Sequence, residues 1–449
     1  MPVCTLLPLP YRPDPAQYFQ AIRHAPGAVL LDSGRPAAER GRFDLLSAWP
    51  RAVLQPATGE AGAAFLQRAR QALAELGEAQ LPGGCALPFA GGLIGYLAYD
   101  FGRRLAPLPQ PNHDDLQLPQ ATLGLYAWAL ITDHQARTSQ LMLHPSLPAA
   151  EGERLRALFT AEAAPSNAAF RLLAPMASDI DAAQYRQAFD QVQAYLAAGD
   201  CYQINLTRRF SGHCEGEPWA AYRQLRQACP VPFSAYMPLA DGSTLLSLSP
   251  ERFIAVHGGQ VETRPIKGTR PRGASAEQDR ANAAELLASP KDRAENLMIV
   301  DLLRNDLGRN CRIGSVQVPE LFALESYPNV HHMVSCVRGE LAPGRDALEL
   351  LAGSFPGGSI TGAPKVRAMQ IIDEVEPTQR AIYCGSLLYL DVRGEMDSSI
   401  AIRTLLVKHG RVHCWGGGAV VADSTCEAEF EESYYKVRVL LEALAHPAP

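Results

Sequence analysis

The chain has 449 residues, of which 47% are hydrophobic and 20% are charged, a composition typical of a soluble globular protein. The formal net charge of −6 argues against nucleic acid or an anionic membrane as the main partner. The 10 cysteines show no CxxC pair or metal-finger spacing, so we expect a cytoplasmic protein with reduced thiols. Prolines break the N-terminal apolar run, so we expect no signal peptide, and we also expect no membrane span.

The first predicted region, residues 1–145, alternates strand-like apolar runs with one amphipathic helix. The runs are AVLLDSG, RFDLLSAWP, GGLIGYLAYDFG and GLYAWALITD, and the helix is GAAFLQRARQALAELG. Residues 146–178 are rich in Ala, Pro and Ser, a composition that indicates a surface connection.

Residues 179–445 form the second predicted region. It opens with an amphipathic helix that has Asp179 or Asp181 as its N-cap and Gly199 as its C-cap signal. Strands, the long helix AENLMIVDLLRNDLGR, a helix after Pro364 and the closing helix CEAEFEESYYKVRVLLEALA follow. Strand runs outnumber helices and often adjoin through hairpin-like turns, so we predict an α+β fold with large antiparallel sheets covered by helices.

Lys267 lies in the stretch TRPIKGTRPRG, at the end of a predicted strand. Pro265 and Pro271 stiffen the backbone, and Gly268 permits close approach of a ligand. A lysine amine becomes a nucleophile when burial or a nearby cation lowers its pKa; a solvated loop lysine is the ordinary alternative. The nearby cations in the sequence are Arg264, Arg270 and Arg272.

Two glycine-rich stretches invite close contact with a ligand. FPGGSITGAPK precedes a helix, and free helix amides beside Lys365 predict an anion site, with a plain glycine-rich turn as the alternative. A nucleotide is excluded as the anion because neither GxxxxGK[ST] nor a post-strand GxGxxG is present. WGGGAVVAD allows similar backbone contact.

Three glutamates are candidates for chemistry. Glu295 and Glu432 lie on predicted helices and are candidate ligands of one Mg²⁺, which prefers few carboxylates plus waters and substrate oxygens; solvated helix glutamates are the alternative. Glu251 begins a strand, where burial would raise its pKa toward that of a general acid. The adjacent His331 and His332 are predicted to point in different directions.

Together these stretches resemble the chorismate-utilising enzymes, the family of anthranilate synthase component I, aminodeoxychorismate synthase component I, isochorismate synthase and salicylate synthase. The resemblance covers nearly the whole chain and implies two large antiparallel sheets packed face to face and flanked by helices. Anthranilate synthases carry Ala where Lys267 stands, so the chain resembles the aminodeoxychorismate synthase members most. The stretches that carry the resemblance are GDCYQINL, LSLSPERF, RPIKGTRPRG, AENLMIVDLLRNDLGR, FPGGSITGAPKVRAMQIID, IAIRTLL, GGGAVVADS and EESYYK.

The resemblance implies a mechanism. Mg²⁺ held by Glu295 and Glu432 binds the ring carboxylate of chorismate, and Lys267 attacks the ring carbon between those bearing the carboxylate and the enolpyruvyl ether. The ring hydroxyl leaves with Glu251 as general acid, and ammonia then adds at the vacated carbon and expels the lysine. The product is 4-amino-4-deoxychorismate, a precursor of 4-aminobenzoate and folate.

The resemblance also implies binding residues. Those lining the chorismate site would be Thr269, His332, Tyr389, Arg403, Gly417 and Lys436. The region 1–145 resembles the family's tryptophan-binding domain, and the matching positions are Ser33, Arg40, Gly41, Arg42, Phe43, Pro232, Phe233 and Ser234. Ala419 departs from the family, which usually has glycine there.

The sequence also bears on the source of ammonia and on two alternative functions. No cysteine stands in a GxCxGxQ setting, so ammonia is expected from solution or from a separate glutamine amidotransferase subunit in a heterodimer. One rival is an anthranilate synthase, which also eliminates pyruvate and against which Lys267 argues. The other is a non-catalytic tryptophan-sensing or scaffold subunit, against which the intact lysine and glutamates argue.

Overall fold

Two antiparallel sheets organise the protein in the computed structural model, which describes residues 1–38, 41–106, 108, 112–161, 169–327 and 330–446. The strands of the first region are β1 (Thr5–Leu9), β2 (Val29–Asp32), β3 (Phe43–Ser47), β4 (Ala52–Leu54), β5 (Gly92–Leu97), β6 (Ala121–Tyr126), β7 (Trp128–Asp133) and β8 (Thr138–Leu143). The later strands are β9 (Phe170–Leu172), β10 (Ala177–Ser178), β11 (Gln203–Gly216), β12 (Phe233–Pro238), β13 (Thr244–Ser249), β14 (Arg252–His257), β15 (Gln260–Thr263), β16 (Ile266–Pro271), β17 (Gln317–Ser326), β18 (Val330–Glu340), β19 (Gly362–Ala363), β20 (Ser386–Asp391), β21 (Met396–Ile400), β22 (Thr404–Lys408) and β23 (Arg411–Val420).

Helices cover the sheets. The α-helices are α1 (Ala16–Phe19), α2 (Gly62–Leu76), α3 (Ala149–Thr160), α4 (Ala182–Ala198), α5 (Pro218–Ala228), α6 (Ala276–Ala288), α7 (Pro290–Gly308), α8 (Ala347–Ser354), α9 (Lys365–Val375) and α10 (Cys426–Ala445), and 3-10 turns span Tyr99–Arg104 and Gly358–Ile360. None of the described helices is both long enough and apolar enough to cross a membrane.

The order of the strands mixes the two predicted regions. Among the described residues, the larger sheet has 13 strands in the order β1-β8-β7-β3-β2-β12-β13-β22-β23-β11-β10, with β9 and β19 also paired to β11. The smaller has 10 strands in the order β16-β18-β15-β14-β21-β20-β5-β6-β4, with β17 paired to β18. Both sheets contain strands from residues 1–145 and from residues 179–445, and the division at residues 146–178 stays a prediction.

The core lies between the sheets. One buried cluster joins Leu45 and Leu245 of the larger sheet to Leu93 and Leu388 of the smaller sheet. Strands such as β5 and β7 are buried at every position, which explains why they read as continuous apolar runs rather than alternating ones. The predicted α+β fold with two face-to-face antiparallel sheets is confirmed.

Local signals predicted some elements better than others. Asp181 caps α4 by accepting from the backbone N–H of Gln184, and Gly199 ends the helix with φ of +79°, as predicted. The predicted surface connection contains helix α3, whose Leu155 and Phe159 are buried. These two residues are four apart and share one helix face, a signal that the Ala-rich composition of the segment masks.

Candidate active site

An irregular strand positions Lys267. The register of β16 with β18 shifts between Ile266 and Thr269, and Gly268 within the shift has φ of +79°. A Cβ on Gly268 would approach Leu286 and Asp292 to within 2.9 Å, so the irregularity requires glycine. Such bulges re-aim side chains next to active sites, and here Lys267 Nζ donates to the carbonyl of Ser359 over 3.3 Å.

The surroundings of Lys267 favour its neutral amine. Burial lowers the pKa of Lys267; the Glu295 carboxylate opposes that shift and the Lys436 cation adds to it. The net result is a pKa below the ordinary value for lysine, the condition for a nucleophilic amine.

The three arginines near Lys267 in the sequence do not supply that effect. Each is paired with carboxylates at 2.7–3.0 Å, and none is among the leading influences on the pKa of Lys267. The pairs are Arg264 with Glu320 and Glu325, Arg270 with Glu285 and Asp292, and Arg272 with Asp279. Burial and the Lys436 cation are the leading causes that lower the pKa of Lys267.

Glu251 and Lys267 meet at one serine. Glu251 directly precedes β14 and is 6% exposed, and the hydroxyl of Ser359 donates to its Oε1 over 3.2 Å. Burial raises the pKa of Glu251 to about 7, against the lowering effect of the Lys267 cation. A carboxyl group that keeps its proton near neutral pH is suited to general acid catalysis. The glycine-rich stretch FPGGSITGAPK indicates a ligand site here, but nothing in it singles out Ser359.

The two predicted metal ligands are brought together from different helices. Glu295 lies on α7 and Glu432 on α10, and both carboxylates act on Lys267. Burial raises the pKa of Glu295. Burial also acts to raise the pKa of Glu432, but the neighbouring lysines, led by Lys436 at 2.6 Å, together hold it below the ordinary value. No cluster of three or more His, Cys, Asp or Glu side chains with metal-binding geometry occurs in the described part of the chain.

A third glutamate lies next to Glu432. Glu429 is one turn before Glu432 on α10, is 2% exposed, and its Oε2 has no hydrogen-bond partner among the described residues. A Cβ on Gly418 would clash with that oxygen and would lie 3.5 Å from Glu432 Oε1. An acidic pocket with an unsatisfied buried oxygen fits a hard cation that keeps several waters. The spacing in EAEFEE was the missed sequence signal.

Two of the predicted chorismate-lining residues meet where β16 pairs with β18, and a third, Arg403, directly precedes β22. Thr269 Oγ1 lies 2.9 Å from His332 Nδ1. Burial and the nearby Arg403 cation lower the pKa of His332 to about 3, so its imidazole is neutral. His331 instead contacts Asp279 at 3.0 Å, which confirms that the adjacent histidines point in different directions.

Lys436 and Gly417 are in direct contact. Lys436 Nζ donates to the carbonyl of Gly417 over 2.9 Å. A Cβ on Gly417 would lie 2.5 Å from Thr207 Cγ2, so only glycine fits there. Ala419, two residues further along β23, lies opposite Asn205 of β11 and is partly exposed, so its methyl group is accommodated without rearrangement of the strand.

Tyr389 has other neighbours. Its ring packs edge-on against Phe89, with centroids 6.0 Å apart, and its nearest charges include Asp397 and Arg252. None of these belongs to the cluster around Lys267. Tyr383, earlier in the same segment, stacks on Trp415 of β23 at 6.1 Å.

Gln203 was not predicted and is notable for its burial. It lies at the start of β11 opposite Ala363, directly beside the FPGGSITGAPK stretch. Its side chain is fully buried, and neither amide atom has a hydrogen-bond partner among the described residues. An amide in this state costs free energy unless water or a ligand satisfies it.

The structure brings together part of the predicted tryptophan region. Ser33 donates its N–H and hydroxyl to Asp44 at 2.8 and 2.6 Å, and a Cβ on Gly41 would lie 2.7 Å from Ser33 Cβ. Ser234 of β12 pairs with Asp32, the residue before Ser33.

The other members of that region lie further along the same strands. Arg42 pairs with Asp133 at 2.8 Å, and its guanidinium packs over Phe43 at 4.5 Å. Pro232 leads into β12, where Phe233 lies under Arg252 at 5.3 Å. Arg40 lies outside the described residues.

Comparison with known proteins agrees with this geometry. A sequence model of the family described as chorismate binding enzyme matches residues 27–442. The chain is 47% identical over 451 residues to the Klebsiella aerogenes protein named aminodeoxychorismate synthase component 1, with 98% of each chain covered. The protein of the same name from Escherichia coli (strain K12) is 44% identical over 453 residues, also covering 98% of both chains. The crystal structure of anthranilate synthase component I from Streptococcus pneumoniae TIGR4 is similar with a TM-score of 0.79 and 28% identity, covering 89% of this chain and 92% of that one. The protein therefore belongs to the chorismate-binding enzyme family.

Proposed function

We propose that this protein aminates chorismate to 4-amino-4-deoxychorismate, the activity for which its relatives at 44–47% identity are named. The observation that carries the proposal is the arrangement at Ser359. One residue holds the Lys267 amine through its carbonyl and the proton-bearing Glu251 carboxyl through its hydroxyl. A nucleophile and a general acid held on one residue are suited to a substitution in which a bond forms and a hydroxyl leaves.

The proposed reaction uses these groups in two steps. Neutral Lys267 forms a bond to the ring carbon between those bearing the carboxylate and the enolpyruvyl ether. The two ring double bonds shift, and Glu251 gives its proton to the departing hydroxyl, which leaves as water. Ammonia then bonds to the vacated carbon, the double bonds shift back, and the bond to Lys267 breaks. Covalent capture divides one difficult substitution into two easier ones.

Binding of the substrate anion involves a cation and neighbouring polar groups. Glu295 and Glu432 are the proposed ligands of Mg²⁺, which when bound neutralises the ring carboxylate and orients the ring. Arg403 supplies a guanidinium fork suited to a second carboxylate. The neutral His332, hydrogen-bonded to Thr269, lines the proposed substrate site as a polar group without adding charge.

The ammonia source is the second part of the proposal. The relatives are named as component 1, and we propose that this chain pairs with a glutamine amidotransferase subunit that delivers ammonia. The purified chain is expected to use ammonium and to use glutamine only after that subunit is added. Glutamine-dependent turnover by the chain alone contradicts this pairing.

A role for the region around Ser33 in binding tryptophan is also proposed. The supporting observations are the close approach of Gly41 to Ser33 and the pairing of Ser234 with Asp32, the residue before Ser33. Calorimetric titration with L-tryptophan, against a Ser33→Ala variant, tests it. Equal binding by both proteins contradicts the assignment.

Anthranilate synthase is the alternative activity, because the similar solved structure carries that name. Product analysis with chorismate, Mg²⁺ and ammonium separates the two. Amination without pyruvate release supports the proposal, whereas fluorescent anthranilate and stoichiometric pyruvate overturn it. The absence of any product supports the non-catalytic alternative.

A further inference from the structure

A buried ion pair lies directly behind the candidate active site. Arg380, between α9 and β20, is 2% exposed and forms a two-pronged contact with Glu376. Its Nε and Nη2 donate to the two carboxylate oxygens over 2.8 and 2.6 Å. Neither Arg380 nor Glu376 is among the residues predicted for the site.

The same guanidinium joins two separate backbone segments. Arg380 Nη1 donates to the carbonyl of Ile360 over 3.0 Å, and Nη2 donates to the carbonyl of Asn205 on β11 over 2.5 Å. The N–H of Asn205 in turn donates to the carbonyl of Thr361 over 2.8 Å. Arg380 therefore fixes the segment 359–361 against β11.

One of these segments carries the reactive groups. Ser359, adjacent to Ile360, accepts from Lys267 and donates to Glu251. A shift of the Ile360 carbonyl would thus move both contacts together.

The other segment leads to the acidic side of the site. Glu376 Oε1 accepts from the N–H and hydroxyl of Thr207 over 3.0 and 2.8 Å. Thr207 pairs with Gly417 of β23, whose carbonyl accepts from Lys436, the partner of Glu432.

We propose that Arg380, paired with Glu376, is a positioning residue that fixes the Ser359 side of the site against the β11–β23 side. The guanidinium serves because its planar fork makes four directed hydrogen bonds at once, which the single ammonium of a lysine cannot reproduce. In a buried setting, losing these bonds leaves carbonyl and carboxylate groups unpaired, so the backbone segments are expected to separate. The proposal deepens the proposed function, because the reaction it serves is the substitution at chorismate.

A double-mutant cycle tests whether Arg380 acts through Ser359. Arg380→Lys is expected to lower kcat for chorismate consumption by about 100-fold, the typical cost of a misplacement near 1 Å, with little change in KM. On a Ser359→Ala background the same change is expected to cost only about 10-fold, because the bond from the Ser359 hydroxyl to Glu251 is already missing and only the contact of Lys267 with the residue-359 carbonyl is left to lose. Additive effects, or an effect confined to KM or to melting temperature, overturn the proposal.

Arg209→Lys is the matched control. Arg209 lies on the same strand β11, is 8% exposed and makes a two-pronged contact with Asp115 at 3.0 and 2.8 Å, with no described bond to the segment 359–361. It is expected to lower the melting temperature, to leave kcat within about threefold, and to combine additively with Ser359→Ala. An Arg209→Lys loss as large as that of Arg380→Lys shows a general packing effect and overturns the proposal.

A second measurement needs no turnover. In a crystal structure of Arg380→Lys, or of Glu376→Gln if the first variant does not fold, the bond from Ser359 to Glu251 is expected to be broken. Retention of that bond together with the Lys267 contact overturns the proposal. Chorismate consumption is followed irrespective of product, so a wild-type protein that makes anthranilate contradicts the proposed function but not the positioning role.

Discussion

Lys267 and Lys365 both follow stretches rich in glycine or proline, and burial lowers the pKa of both amines. Their contacts differ. Lys365 Nζ donates to Asp306 over 2.7 Å and to the carbonyl of Ser354 over 2.6 Å. Lys267 Nζ makes one longer bond, 3.3 Å to a carbonyl, and in the described part of the chain no carboxylate oxygen lies within 4.0 Å of it.

The difference separates a lysine held in an ion pair from the lysine proposed as the nucleophile. Burial lowers the pKa of Lys365, but the contacting carboxylate of Asp306 opposes that shift and ties α7 to the start of α9, which fixes the position of the amine. Burial alone therefore does not make a nucleophile. Lys267 combines burial with carboxylates that are near enough to act on its charge but do not contact it.

The largest expected effect tests whether Lys267 is the nucleophile, as proposed. Chorismate and Mg²⁺ without ammonia should leave part of the protein covalently modified, because the second substitution lacks its nucleophile. The added mass should equal chorismate less one water and should map to Lys267, never to Lys365. Lys267→Ala should abolish the adduct, although ammonia can still attack the ring directly in the vacated space.

Intact-protein mass spectrometry after rapid quench, followed by peptide mapping, provides the measurement. An active wild-type protein without adduct, combined with full activity of Lys267→Arg, would make Lys267 a positioning charge instead.

The next effect concerns the carboxylates that influence Lys267 without contacting it. Glu432→Gln should lower amination by about 1,000-fold and weaken the dependence on Mg²⁺, because a metal that neutralises substrate charge is worth several kcal/mol. Glu431→Gln is the matched control, since Glu431 is the exposed neighbour on α10. A normal Mg²⁺ titration and normal turnover in Glu432→Gln would remove Glu432 from the site.

Sequence reasoning succeeded where the signal was local or where the resemblance supplied it. The caps at Asp181 and Gly199 depend on a few adjacent residues, so the sequence was enough to find them. That Glu295 and Glu432 lie near one another was predicted only through the resemblance, because they belong to two helices that are distant in the sequence.

Other features depend on contacts that no pattern encodes. Ser359 contacts Lys267 through its backbone carbonyl and Glu251 through its side chain. Lys365 forms an ion pair with an aspartate from another helix. The segment AIYCGSLLYLD contains both Tyr383 and Tyr389, and only the fold shows which neighbours each has. Arg264, near Lys267 in the sequence, is paired with Glu320 and Glu325.

Stability should distinguish the two lysines. Lys365→Met should cost about 3–5 kcal/mol in the free energy of unfolding, because it leaves Asp306 buried without its partner. Lys267→Met should change that free energy by less than about 1 kcal/mol, because it replaces a desolvated amine that has no contacting carboxylate. Chemical denaturation at one pH measures both, and equal costs would refute the distinction between a paired and an unpaired amine.

The smallest effect is the pH dependence that Glu251 adds beside Lys267. Its pKa is raised from 4.5 to about 7, so between these values the folded protein binds a proton that the unfolded chain does not. The stabilisation from this group is complete below pH 4.5 and is lost as pH rises through 7, an expected decrease of about 2–3 kcal/mol.

Asp100, whose pKa burial raises to about 7, contributes with the same sign, so the wild-type curve alone is not diagnostic. The measurement is the difference between wild type and Glu251→Gln in unfolding free energy from pH 4.5 to 7, since the glutamine variant retains Asp100 but lacks the titrating carboxyl group. A difference that stays constant across this range would mean that Glu251 is already ionised and cannot supply the proton for the departing hydroxyl.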